Sequence, residues 1–212
     1  ILLLLMFLSA NFASSQQLEL KVLDTDFSKG RLVNEQVITV TDVSKLHGHM
    51  CDGLVLGFIG LREALYQLFP DSIIDRTNVR IISKSSPCIT DIAIYLTGGR
   101  YQFNTFFVSD SLPYLYVVQR IDTEKAIGLT VVPGLVPTQI KELGSLALKK
   151  ELDACGLEEL RNLEDAFIVK LMNSAPQELF VLTDINDFTW QSPLTKTYLK
   201  TDVLNKNQPK CE

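Results

Sequence analysis

Gly53 to Leu61 is an unbroken apolar run, and from Leu54 to Phe69 the pattern is helical until Pro70, which cannot continue a helix. Gly53, Gly57, Gly60 and Ala64 recur here at spacings of four, three and four, so they share one helical face. Each Gly inside a helix costs about 1 kcal/mol relative to Ala. Small residues along one stripe let another backbone approach closely, so this helix is expected to pack tightly against a sheet or a second copy of the chain. The run is far shorter than the roughly twenty apolar residues that cross a bilayer. It is an interior helix of a folded domain.

The other elements arrange themselves around it. Leu18 to Leu23 alternates and Val37 to Val40 is β-branched, and both read as strands. Val79 to Ser83 predicts a strand, after which Ser86-Pro87 forms a cap and first-turn pair that opens a helix running to Gly98-Gly99. Tyr101 to Val108 and Tyr114 to Gln119 predict a hairpin about Asp110 to Pro113. Ala126 to Val132 and Glu178 to Ile185 predict strands, and Pro137 to Lys150 and Leu157 to Asn173 predict helices. The last twenty residues are polar and read as frayed. Strands and helices mix without a regular βαβ alternation, so the expected class is α+β, a mixed or antiparallel sheet packed with helices.

Charge is absent from Ile1 to Ser15, and eleven of those fifteen residues are apolar. With Ala13-Ser14-Ser15 before Gln16, they read as the core and cleavage region of a secretory signal, which predicts an exported protein, periplasmic or extracellular. Residues 16–150 then form the expected domain, and 151–212 an extension packing on it. In the whole chain of 212 residues, 25 Asp and Glu outnumber 20 Lys and Arg, for a net charge of −5. That balance argues against a nucleic-acid groove. Four Cys are too few for a disulfide-built mini-protein, although in an exported chain they can pair in three ways.

The two histidines of the chain, His47 and His49, both lie within four residues of Cys51, immediately before the glycine-striped helix. Residues two apart in an extended loop point the same way, so His47, His49 and Cys51 can converge, with Gly48 and Gly53 making the backbone feasible. Imidazole and thiolate suit zinc and other borderline or soft metals. Cys88 stands at the second position of the next helix, where free N–H groups favour a thiolate, and Asp91 lies three residues on along the same face. A Cys51–Cys88 disulfide is the rival reading.

Leu46-His-Gly-His-Met-Cys-Asp-Gly-Leu-Val-Leu-Gly57 resembles the HGHxCPG signature of the FmdE-like family, named from association with formylmethanofuran dehydrogenase. Pro87-Cys-Ile-Thr-Asp-Ile-Ala-Ile-Tyr-Leu-Thr-Gly98 is similar to that family's second motif. The resemblance spans roughly Asp42 to Arg120. It implies an α+β fold, commonly a homodimer, with a metal between the motifs held by His47 or His49, Cys51 and Cys88, and with Asp91 close by. Three departures stand out. Asp52 replaces the usual Pro, Gly99-Arg100-Tyr101-Gln102 replaces a Cys and a Lys-bearing turn, and Cys155 and Cys211 are too isolated to build the C-terminal zinc ribbon of some members.

The expected function is therefore an exported metal-binding protein, with zinc the first candidate and nickel or iron the alternatives. Three protein ligands leave a position open, the pattern of catalytic zinc. Asp91 and His47, or whichever His is not a ligand, are the candidates for moving a proton on an unknown small-molecule substrate. The alternatives are a metal carrier or sensor without turnover, and a thiol-redox protein using Cys51 and Cys88. Arg62 and Arg100 are candidates for recognising an anion, each with surface ion pairing as the plainer reading. Trp190 reads as a packing residue.

Overall fold

The computed structural model describes residues 18–211, so the leader reading of Ile1 to Ser15 lies outside the described residues. Strands β1 (Glu19–Thr25) and β2 (Leu32–Thr39) pair antiparallel, and β3 (Ile73–Asp75) adds parallel to β1, in the order β2-β1-β3. The second sheet has the order β5-β4-β6-β7-β8. Its strands are β4 (Val79–Ser83), β5 (Phe106–Val108), β6 (Tyr116–Arg120), β7 (Ala126–Val131) and β8 (Phe180–Asp184). Only β5 runs parallel to its neighbour there. The described helices are α1 (Val40–His47), α2 (Asp52–Leu68), α3 (Pro87–Thr97), α4 (Thr138–Leu148), α5 (Ala154–Asn173) and α6 (Pro176–Leu179). Two mixed sheets with packed helices make this an α+β fold, as the sequence predicts.

Helix α2 is the glycine-striped segment, and it packs against α3, α5 and the second sheet. Leu54, Phe58, Leu61 and Leu65 along it are fully buried. A Cβ placed on Gly57 would lie 3.0 Å from the Tyr116 hydroxyl and 3.1 Å from Ile89. One on Gly60 would lie 2.9 Å from the Phe180 ring and 3.1 Å from Leu129. The stripe therefore meets α3 on one side and strands β6, β7 and β8 on the other, within one chain.

Three local readings change. The residues on either side of Asp110 to Pro113 do not form a hairpin, because β4 lies between them, with β5 on one edge and β6 on the other. β4 is almost wholly buried, and its backbone groups need partners on both edges. Helix α1 begins at Val40, where the β-branched pattern suggests that the strand continues. The polar C-terminal segment is not frayed either: Leu32 N–H donates to Lys206 O at 3.1 Å and Tyr198 N–H to Gln102 O at 3.0 Å. Lys206 Nζ adds contacts of 3.1 Å to Asp75 Oδ2 and 3.0 Å to Thr77 Oγ1. The tail is held by backbone bonds and an ion pair, which hydropathy does not register.

Gly60→Val places extra carbons against Phe180 and Leu129 where no room exists, and overpacking of this kind costs about 1–3 kcal/mol. Urea unfolding is expected to show a lowered midpoint with an unchanged slope, whereas Arg161→Ala on the exposed face of α5 leaves the midpoint nearly where it was.

Candidate metal centre

The site starts with a cap. Asp42 N–H donates to Thr39 Oγ1 at 3.2 Å, and Thr39 N–H donates back to Asp42 Oδ2 at 3.0 Å, a reciprocal box that starts α1 immediately after β2. Helix α1 closes on His47. Gly48 follows at φ 100°, a left-handed conformation that suits a residue without Cβ, and its N–H donates to Ser44 O at 2.8 Å. Cys51 is then the N-cap of α2, its sulfur accepting from Leu54 N–H at 3.4 Å. His47 and Cys51 therefore approach from the end of one helix and the start of the next, across a turn and not along an extended loop.

Cys88 is the second residue of α3, as its Ser86-Pro87 opening predicts. Its Sγ lies 3.5 Å from Cys51 Sγ and 3.6 Å from His47 Nε2, while Cys51 Sγ lies 3.8 Å from His47 Nε2. Among the described residues, these three form the one group of His, Cys, Asp or Glu whose ligand atoms all lie within 4.8 Å of each other. Tetrahedral zinc with its usual bond lengths separates two sulfurs by about 3.8 Å and a sulfur from a nitrogen by about 3.6 Å. All three spacings fit one ion. At 3.5 Å the two sulfurs are not bonded to each other, since a disulfide sets them about 2.05 Å apart.

His49 stands apart from this trio, its ring centroid 4.6 Å from that of His47 and tilted by 43°. Asp91 stands behind His47: its Oδ2 accepts the Nδ1–H of that ring at 2.8 Å, one turn along α3 from Cys88. That bond directs the lone pair of Nε2 at the two sulfurs, the arrangement in which a carboxylate orients a ligating imidazole. It also raises the His47 pKa above its ordinary value. The His47 side chain is 6% exposed and Asp91 29%, so the ring is buried while its carboxylate partner reaches water.

The two thiols divide one proton. A hydrogen bond from Cys88 lowers Cys51 to about 6, opposed by burial and aided by Leu54 N–H and the charge on His47. Cys88 keeps its proton, its pKa raised first by the bond to Cys51 and then by burial. Burial also raises the carboxyls of Asp52 and of Glu164, the latter on α5 and further raised by negative charge on Asp52 and Cys51.

Packing fixes the pair. A Cβ on Gly53 would lie 3.0 Å from Cys88 Sγ, tight enough that the sulfur would have to give way, so glycine suits the close approach of the two helix starts. Tyr116, fully buried on β6, donates from its hydroxyl to Ile89 O at 3.0 Å and so ties the first turn of α3 to the sheet. Beside the cysteines opens a cleft of 470 Å³ with Asp52, Gly53, Ser86 and Ile89 on its wall and Lys84 and Lys141 at its rim. Asp52, Tyr116 and Glu164 escape sequence reasoning. Asp52 is visible only as a departure from a motif, Tyr116 reads as one more strand residue, and nothing marks Glu164.

The remaining candidates lie elsewhere. Arg62 pairs with its neighbour Glu63 at 3.1 Å, eleven residues along α2 from Cys51, which is about 16 Å. Arg100 sits beyond the opposite end of α3. Trp190 donates to Asn104 Oδ1 at 3.2 Å and packs edge-on against Phe107 and Phe188. Cys155 and Cys211 are exposed and outside the trio.

A family model described as "FmdE, Molybdenum formylmethanofuran dehydrogenase operon" matches residues 46–181. No curated protein matches the chain. Among solved structures, a tungsten formylmethanofuran dehydrogenase FmdE-like protein from Syntrophus aciditrophicus is similar at 16% identity and a TM-score of 0.44, over 70% of this chain and 72% of that one.

In metal-free, reduced protein, thiolate absorbance at 240 nm is expected to rise by one equivalent as pH passes about 6, with Cys51 as its source. The lowered pKa means that the thiolate, and the stability linked to it, is lost as pH falls through that value. Cys88→Ala removes the donor and moves the midpoint upward.

Proposed function

The chain belongs to the FmdE family, and on that footing we propose that it is a metal-dependent protein in which His47 Nε2, Cys51 Sγ and Cys88 Sγ hold one zinc ion. The observation that carries this reading is the spacing of those three atoms, 3.5 to 3.8 Å, which one tetrahedral ion spans. Two cysteines at helix starts and an imidazole oriented by a carboxylate support it, because thiolates and neutral imidazole are what such an ion requires.

Bound there, zinc would supply Lewis acidity, with His47, Cys51 and Cys88 as its ligands among the described residues. The chain's own groups do the rest. Asp91 Oδ2 holds the Nδ1 proton of His47 and keeps Nε2 turned to the sulfurs. His49, whose ring lies 4.6 Å from that of His47 but outside the trio, is the nearby group free to move a proton. The cleft beside Asp52 and Ser86 admits a small molecule, and its largely aliphatic wall offers apolar surface beside the polar groups at Asp52 and Ser86. We read the protein as an enzyme of hydrolytic or carbonyl-activating class. Export is the reading supported by the uncharged stretch Ile1 to Ser15, and a homodimer is the one supported by the family resemblance.

A second reading has its own support. Sulfurs 3.5 Å apart with one thiol lowered to about 6 also suit a reversible Cys51–Cys88 disulfide. Elemental analysis separates the two. Protein purified under reducing conditions without chelator is expected to carry one equivalent of zinc, lost on Cys51→Ala or Cys88→Ala, retained on His49→Ala, and weakened about 10–100-fold in affinity on Asp91→Ala. A wild-type protein that takes up no metal and cycles between dithiol and disulfide establishes the redox reading instead.

A further inference from the structure

The C-terminal end of α3 carries a cavity distinct from the cleft beside the cysteines. It measures 480 Å³ and lies between β2, the start of α1 and the second half of α3, with Arg76, Tyr95, Gly98 and Arg100 among its lining. Tyr95 stands one turn beyond Asp91 on the same helical face.

Arg76 lies flat against the turn that ends α3. A Cβ on Gly98, itself at φ 63°, would sit 2.9 Å from both Nε and Nη2 of the guanidinium. Nη1 pairs with Asp24 Oδ2 at 3.3 Å, while Nε is buried with no acceptor. Leaving such a donor unmet is costly, about 1–3 kcal/mol. Arg100 is exposed, and its side chain meets the ring of Phe103 at 5.8 Å but, among the described residues, no carboxylate. A small adjoining cavity shares Arg76, Gly98 and Arg100 and adds Lys200 with Asp24 and Asp202.

Charge decides what fits. Three cations surround the two cavities: Arg76, Arg100 and Lys200. Asp24 answers Arg76, and Asp202 stands near Lys200. Asp42 also lines the larger cavity, but its carboxylate is taken by Thr39 N–H and by Lys45 Nζ at 2.9 Å. One positive charge, that of Arg100, is left over. A dianion would exceed it, and a monoanion matches it. A guanidinium presents two parallel N–H groups to the two oxygens of a carboxylate, and Ile94 and Tyr95 offer apolar surface to whatever the carboxylate is attached to.

We propose that this cavity binds a small monocarboxylate, Arg100 taking the carboxylate and Ile94 and Tyr95 the organic body. The site stands on these residues alone and needs no metal at the other end of the helix.

Benzoate is a suitable probe, with benzamide as its uncharged counterpart, each titrated by calorimetry into the full chain. Benzoate is expected to bind about tenfold tighter than benzamide. Arg100→Gln should abolish that margin and Arg100→Lys restore part of it, with circular dichroism and metal content unchanged because Arg100 lies on the surface. Equal binding of benzoate and benzamide, or undiminished benzoate binding by Arg100→Gln, overturns the proposal. Orthophosphate binding more tightly than benzoate overturns its monocarboxylate assignment.

Discussion

The candidate centre depends on how closely α2 can lie against α3. Cys51 and Cys88 come from helix starts separated by 37 positions, yet their sulfurs stand 3.5 Å apart. That distance is permitted by the missing side chain of Gly53, whose Cβ would contact Cys88, and by that of Gly57, whose Cβ would reach Ile89 and the Tyr116 hydroxyl. The two interior glycines, Gly57 and Gly60, cost α2 about 2 kcal/mol of helix propensity, roughly 1 kcal/mol each. The burial of Leu54, Phe58, Leu61 and Leu65 along the same helix offsets this easily, at roughly 1.5–3 kcal/mol per large side chain. The fold can therefore keep the stripe, and the stripe sets the approach of the two sulfurs.

Electrostatics then follows from backbone position. Cys51 caps α2 and Cys88 is the second residue of α3, so both stand at helix starts where unpaired N–H groups concentrate positive potential, which favours a thiolate. They are not equivalent. Cys51 accepts from Leu54 N–H and from Cys88, so negative charge collects on it, and Cys88 is left as the donor. His47 leans on the same pair from the C-terminal end of α1, where the helix dipole and Asp91 both favour a proton on the ring. The three ligand atoms already stand within 3.8 Å of one another, so binding a cation calls for release of protons more than for movement of side chains.

Much of this was legible in the sequence, and the losses have physical causes. Helix α2, its small-residue face, the α3 start at Ser86-Pro87 and its end at Gly98 are written in local chemistry: a proline stop, a first-turn proline and an αL glycine. The metal trio was half legible. His47, Cys51 and Cys88 are marked by type and by place. Whether His47 or His49 faces the sulfurs depends on α1 ending at His47, and so on the Thr39–Asp42 box, which the β-branched run through Val40 conceals. The order β5-β4-β6 was hidden because pairing is a long-range property: two apolar segments joined by a turn sequence look like a hairpin unless a third strand claims the space between them. Glu164 approaches the centre from a helix 76 residues beyond Cys88, and no local pattern reports it.

Helix α3 is polar in its chemistry as well as in its dipole. Sulfur and imidazole gather at its positive end, and guanidinium groups gather at its negative end. The dipole alone accounts for a cation near Gly98, but its contribution at a helix end is about 0.3–1 kcal/mol. That is too small to explain why Arg76 is buried under a glycine turn, with Nε lacking an acceptor and the unpaired Arg100 beside it. An arginine serving only the dipole would stay solvated, at no desolvation cost. Holding two guanidinium groups together at the rim of a cavity works against both solvation and like-charge repulsion. An anion held by Arg100, in the cavity that Arg76 also lines, relieves the repulsion and matches the one charge that Asp24 and Asp202 leave unanswered.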